Sequence, residues 1–380
     1  KNKVFLFPAN ELIAAELSIA SPELRTQRIE TLNYLATEGK GGVIIAPISG
    51  IKKVLPPRSV WKESLIEWNV GDDLNIESVL ENLISLGYSR TDMVSTPGEF
   101  SLRGGILDIY PLTEENPFRI ELFDTEIDSI RIFSAEDQKS LQKVKRAFIS
   151  PVNEIILNKG NVAQIAENLE AGLSQSLKRI KNADAQQRMV QQIGHEIEML
   201  RSGNKFDHIA QYMSLAYDKQ ASLLDYIPTE SIVIFDEISR IQEMGEQLDK
   251  EEAEYYTTLL DEGKIIHDIT LSHSLSSLMA QHKYPHIYMS LFLRHVPQTS
   301  PQNIVNISCK QMQDFHGQMN LFKAEVERWK KGKYTVVLMG ADEERVKRIE
   351  RILEDYEVDA SFVQNKDDIN LLINDRYNRN

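Results

Sequence analysis

The sequence predicts an α/β protein of several domains, with a small α+β module inserted into the first of them. Three observations carry that prediction. Apolar runs of strand length, such as residues 42–47 (GVIIAP) and 231–235 (SIVIF), alternate with segments of helical spacing. Between about residues 75 and 151 that rhythm stops, and short strands punctuated by Gly and Pro follow one another instead. The chain has 380 residues, more than one core ordinarily fills at about 100–200 residues per domain.

Composition narrows the function classes. There are 43 Lys+Arg against 57 Asp+Glu, a formal net charge of −14, so the chain is not built to coat duplex DNA non-specifically. Hydrophobic residues make up 42%, enough to build cores. A single cysteine, Cys309, excludes an intramolecular disulfide framework and any zinc site with two or more thiolates, the usual profile of a cytoplasmic protein. No apolar run approaches the roughly 18–20 residues of a membrane helix. No export signal is visible, and the chain enters without Met on a strand-like run, so it reads as a piece of something longer.

Taken in order, Val4–Leu6 opens as a strand. Ser21-Pro22 places an N-cap and a first-turn proline before a helix through Ile29, Leu32 and Leu35. Gly39 to Gly42 stops that helix. The strand at 42–46 has no alternation, as in a parallel strand covered on both faces. Residues 59–68 read as one short helix. A helix at 76–86 ends at Gly87, and strands follow at 92–94, 99–103, 106–110, 118–122 and 126–133. Residues 154–219 are mostly helical. Residues 231–235 form a strand closed by Asp236-Glu237, with a helix from about 238 to 260. Residues 315–330 are helical. A strand at 334–340, a helix at 342–356 and a strand from 358 would make a βαβ unit.

Several motifs bear on chemistry. A phosphate loop needs a Ser or Thr after its Gly-Lys, and none of Gly39-Lys40, Gly263-Lys264 or Gly332-Lys333 has one. The SIVIFDE segment has the form of a Walker B strand, whose carboxylates hold Mg²⁺. Without a phosphate loop, Asp236 and Glu237 are either completed by a motif outside the chain or a relic, and the relic is favoured. His195-Glu196 lacks the second His of a zincin, and Pro285 separates His282 from His286 in a way that opposes a helical metal pair. Cys309 near His316 is weak evidence for a thiolate pair. No catalytic residue and no metal site are assigned. The remaining cluster lies in the inserted module. Residues 119, 121 and 123 share one face of a strand, so Arg119, Glu121 and Phe123 form a patch to which Arg103 can contribute. It reads as a protein-binding hot spot, or as a surface Arg119–Glu121 salt bridge with Phe123 in the core. Composition leaves both open.

Residues 92–133 contain G-E-F-x-x-R-G-G-I-x-D-I-x-P and then P-x-R-I-E-L-F-D-x-E-I-D-S-I-R. This block resembles the N-terminal region of the bacterial transcription-repair coupling factors, with a looser relative in the excision-repair protein UvrB. Supporting matches extend over nearly the whole chain. The resemblance implies UvrB-like domains 1A and 1B, degenerate RecA-like parallel α/β layers, around an inserted domain 2. It places part of domain 1A at 1–74, domain 2 at 75–153, domain 1B at 154–308 and the start of a small third α/β domain at 309–380. It implies a binding module without working ATPase motifs or cofactor, and makes Asp236 and Glu237 a degenerate Walker B pair. In the family, domain 2 docks UvrA, through positions that fall here on Arg103, Arg119 and Phe123, with Glu121 a secondary member. The family's own C-terminal domain can mask that surface. Its RNA polymerase contact, duplex-DNA contact and ATP- and Mg-dependent motor lie in regions not present here. The rival readings are an ATP-dependent DNA translocase in its own right, or a UvrB-like DNA-binding module.

Overall fold

The computed structural model describes residues 3–9, 21–37, 39, 41–204, 206, 209–281, 284–292, 299–307, 311–340 and 342–360. It is a mixed α/β structure that divides into two units, Lys1–Gln298 and Thr299–Asn380.

In the first unit, strands β1 (Val4–Leu6) and β2 (Val43–Ile45) pair in parallel, connected through helix α1 (Pro22–Thr37). Phe5 and Ile44 face the core, and Phe5 stacks on Tyr34 at 4.2 Å between ring centroids. Val4, Leu6, Val43 and Ile45 point the other way and are exposed. The expected coverage on both faces is therefore absent among the described residues, because a two-stranded ribbon has α1 on one side only. Short helices α2 (Ile48–Ile51) and α3 (Arg58–Glu63) follow.

The single helix expected over 59–68 divides in two. Helix α3 stops at Glu63, and β3 (Ile66–Asn69) is a strand that buries Trp68. Ladder pairing with a partner remote in sequence decides this, and local spacing cannot reveal it. Helix α4 (Ile76–Ser85) starts on Asn75, whose side chain accepts from the Ser78 N–H at 3.0 Å, and ends before Gly87 at φ 98°.

The next strands are β4 (Ser89–Arg90), β5 (Glu99–Arg103), β6 (Ile106–Ile109), β7 (Phe118–Phe123), β8 (Glu126–Phe133), β9 (Ser140–Val144) and β10 (Arg146–Ile149). Strands β4 to β9 form one six-stranded sheet in sequence order, antiparallel except at β4–β5. Residues 92–94 are not a strand. Val94 is fully buried, and the Asp92 carbonyl accepts from the Ser101 hydroxyl at 2.9 Å. Strands β9 and β10 escaped the sequence reading because β9 has no buried face to print a pattern. Strand β10 pairs antiparallel with β3, so the first and last strands of this stretch lie side by side.

The core runs without a break from the β1/α1 layer, through Phe7 and Leu32, into the sheet, through Leu107, Ile120 and Ile130. Arg28 lies fully buried within the same layer. It forms a two-pronged ion pair with Glu154, with Nη2 to Oε2 at 2.8 Å, and donates to the Pro8 carbonyl at 2.6 Å. Its guanidinium sits 3.9 Å from the Phe7 ring centroid.

Helices α5 (Lys159–Arg179) and α6 (Ala183–Arg201) are capped by Asn158 and Asn182 and pack around a second core that includes Ile165, Met189 and Ile193. Within it the Tyr212 hydroxyl donates to the buried Glu196 carboxylate at 2.5 Å. Strand β11 (Val233–Asp236) leads into α7 (Ile238–Asp261). After α8 (Leu275–Gln281), β12 (His286–Met289) pairs parallel with β11. In the second unit, α9 (Met319–Lys331) and α10 (Glu343–Asp355) enclose Phe322, Val326, Leu353 and Val358. The strands expected at 334–340 and from 358 form no ladder among the described residues, and 361–363 lie outside them. A strand needs a hydrogen-bonding neighbour, and none is described there.

Burial alone would raise the Glu154 pKa, but Arg28 above all, with Lys53 and Arg25, outweighs it and holds the carboxylate below its ordinary 4.5. A lowered carboxylate pKa stabilises the fold above that value and ceases to as pH falls. Glu154→Ala leaves Arg28 a buried cation and should cost about 3 kcal/mol at neutral pH. In urea unfolding, its gap from the parent chain should narrow below pH 4.5.

Candidate partner-binding face

Gly104 and Gly105 turn β5 into β6 as a two-residue hairpin. Gly104 takes φ 60°, and a Cβ on Gly105 would lie 2.9 Å from the Leu122 carbonyl oxygen. That turn sets Arg103 opposite Ile106, and Ser101 opposite Asp108. The register then runs on across the sheet. Asp108 faces Arg119, which faces Arg131, while Ile106 faces Glu121, which faces Ser129. One sheet face is therefore polar, while Phe100, Leu107, Ile109, Ile120 and Ile130 line the other and enter the core.

Asp108 is the centre of the polar face, with its side chain 1% exposed. It accepts from Arg119 Nε and Nη2 at 2.8 and 2.9 Å and from Arg103 Nη2 at 3.0 Å. Hydrogen bonding to Asp108 pushes the Arg119 pKa up against the opposing effect of burial. Arg119 also donates to the Gln138 carbonyl at 3.3 Å and to its side-chain oxygen at 3.2 Å, and lies 4.2 Å from the Phe133 ring centroid. The Arg119 side chain is 17% exposed and that of Arg103 50%. Glu121 accepts from Ser129 at 2.7 Å and from Arg131 at 3.3 Å. Of the two arrangements open from composition, the Arg119–Glu121 salt bridge with a core Phe123 is not the one present.

Phe123 is 78% exposed. The bulge beside it places the extra residue, Asp128, on β8, so alternation along β7 keeps Phe123 on the side of Arg119 and Glu121. The hairpin end is held from behind. The Leu74 N–H donates to the Thr125 carbonyl at 2.8 Å, the Gly71 N–H to the Ile127 carbonyl at 2.9 Å, and the Thr125 hydroxyl to Asp73 at 3.1 Å. Asp124, at φ 57°, makes the turn in a conformation that Asp tolerates.

The other sequence candidates lie elsewhere. Asp236 ends β11, exposed. Glu237 takes the left-handed conformation, and its carboxylate accepts from the Leu291 N–H at 2.6 Å, a bond that secures the loop after β12. No group of three or more metal-ligating side chains occurs among the described residues. His286 packs edge-on against Phe235, while Cys309 and His282 lie outside the described residues. Among the described residues no helix is long and apolar enough to cross a membrane.

Sequence reasoning missed Asp108 and Gln138. The first had half a signal, since the two-residue turn at Gly104-Gly105 fixes the β5–β6 pairing and puts Asp108 on the face of Arg103, but its place opposite Arg119 depends on the β6–β7 register, which that turn does not set. Gln138 had none, because it arrives from a turn at φ 60°. Since Phe123 contacts little of the core, Phe123→Ala should move the urea midpoint by less than about 0.5 kcal/mol equivalent. A larger loss would mean the ring supports the fold.

Residues 66–155 match the family described as the UvrB interaction domain, the stretch from β3 to just beyond β10. The chain is 50% identical over 364 residues to the transcription-repair-coupling factor of Bacillus subtilis, covering 96% of this chain and 31% of that protein. It is 33% identical over 361 residues to the transcription-repair-coupling factor of Staphylococcus epidermidis, covering 94% and 30%. The Staphylococcus aureus protein of that name is 32% identical over 359 residues. The chain thus spans about a third of the length of these relatives. With a UvrB interaction domain in its first half and similarity along nearly all of its length, the chain belongs to the family of transcription-repair-coupling factors.

Proposed function

We propose that this chain is a non-catalytic docking module that recruits UvrA, so that excision repair reaches RNA polymerase stalled at DNA lesions. The observation that carries this reading is the exposed Phe123 on an anchored hairpin, beside arginines organised by a buried carboxylate, within a UvrB interaction domain. An exposed aromatic next to arginine is the composition of an interface hot spot. Arg103, Arg119 and Phe123 make up the docking surface, with Glu121 at its margin.

In the same reading, residues 1–74 and 154–308 are the two parts of a degenerate RecA-like layer, 75–153 the docking domain, and 309–380 the start of a third domain. Asp236 and Glu237 are the remnant of a Walker B strand. The polymerase contact, the duplex-DNA contact and the ATP- and Mg-dependent translocase belong to other parts of the longer relatives' architecture, as does a C-terminal domain that masks the docking face. The setting is cytoplasmic.

Titration of the chain against purified UvrA tests this. Arg103→Ala and Phe123→Ala should each weaken binding by about tenfold or more, which is about 1.4 kcal/mol, with circular dichroism unchanged. Raising the salt should weaken binding moderately without abolishing it. Parent-level affinity in both folded variants would sink the assignment. Tight binding of ATP, or steeply salt-dependent binding of duplex DNA, would favour the translocase or DNA-binding reading instead.

A further inference from the structure

We propose that the two arginines of the docking face have different jobs, Arg103 meeting the partner while Arg119 is a positioning residue that acts through Asp108. This rests on the docking reading above. The two side chains are equivalent by composition but not by geometry. Arg119 bonds through Nε, Nη1 and Nη2, all to Asp108 and Gln138, and its plane lies against Phe133. It is 17% exposed. To grip a partner carboxylate with two prongs it would have to give up bonds it already has. Among the described residues the Arg103 side chain has a single hydrogen bond, through one Nη, and it is half exposed. The rest of its fork faces outward, next to its cross-strand neighbour Ile106, which is also partly exposed.

Asp108 joins the two. Its carboxylate is buried, and its Oδ2 accepts from both guanidinium groups. Arg119 holds that carboxylate in one orientation, and the carboxylate in turn holds Arg103. Two cations on one anion leave the face positive, so the partner group it fits is an acidic side chain, with an apolar recess beside it for Phe123.

A double-mutant cycle against purified UvrA separates the roles. In the parent background, Arg103→Ala, Arg119→Ala and Asp108→Asn should each weaken binding. In an Arg103→Ala background, adding Arg119→Ala or Asp108→Asn should change affinity by less than about threefold, because the group they position is gone. Phe123→Ala should keep its full effect there. A further loss of about threefold or more from Arg119→Ala would mean that Arg119 touches the partner itself, and the inference fails. If neither Arg103→Ala nor Phe123→Ala weakens binding, the docking reading fails, and this inference with it. A measurement on the free chain needs no partner. By NMR, the Arg119 Nε–H proton should exchange slowly with water in the parent and quickly in Asp108→Asn. Fast exchange in the parent would overturn the proposal.

Discussion

The ion pair between Arg28 and Glu154 fixes the point at which the chain returns from its excursion through the six-stranded sheet. Arg28 belongs to α1, and Glu154 comes soon after the last strand of the module. Between them lies the whole of the sheet. An unpaired charge at that depth would be costly, so the layer and the returning chain must close together or not at all. The β3–β10 ladder brings the two ends of the module into register, and the buried pair locks the exit against the first helix. The single core that spans both regions is the consequence.

The same device recurs on the polar face of the six-stranded sheet at a smaller scale. There too a buried carboxylate organises guanidinium groups, but around it the sheet is open. Arg28 is sealed beneath Phe7, whereas Arg103 projects. The difference follows from what covers each site. At one, Phe7 and the Pro8 carbonyl lie against the guanidinium. At the other, the turn carrying Gln138 bonds Arg119, and Arg103 stays half exposed.

Much of this was legible in the residues. The ends of β5 follow from Gly98 and the Gly104-Gly105 turn that flank it, and α4 from its cap and its glycine stop. The face carrying Arg119, Glu121 and Phe123 follows from period-2 alternation, which the bulge leaves intact because its extra residue lies on the opposing strand. What could not be read depended on distant pairing. Residues 66–69 carry a buried Trp and look helical until β10 is beside them. β9 is exposed except at Val144 and has no alternation to show. Asp108 was hidden for another reason. Its apolar neighbours make it look like an interruption in a core strand, and only the register across three strands reveals it as the hub.

The adjacency of β3 and β10 has one more consequence. A segment whose entry and exit lie in neighbouring strands, about 5 Å apart, asks almost nothing of the protein that carries it. It can be spliced between two adjoining positions of a host loop without stretching either side. The match to the UvrB interaction domain begins at residue 66, the first residue of β3, and ends at 155, shortly after β10. The stretch that the family model matches is thus the stretch whose ends meet, a geometry that lets the module be carried as one insert.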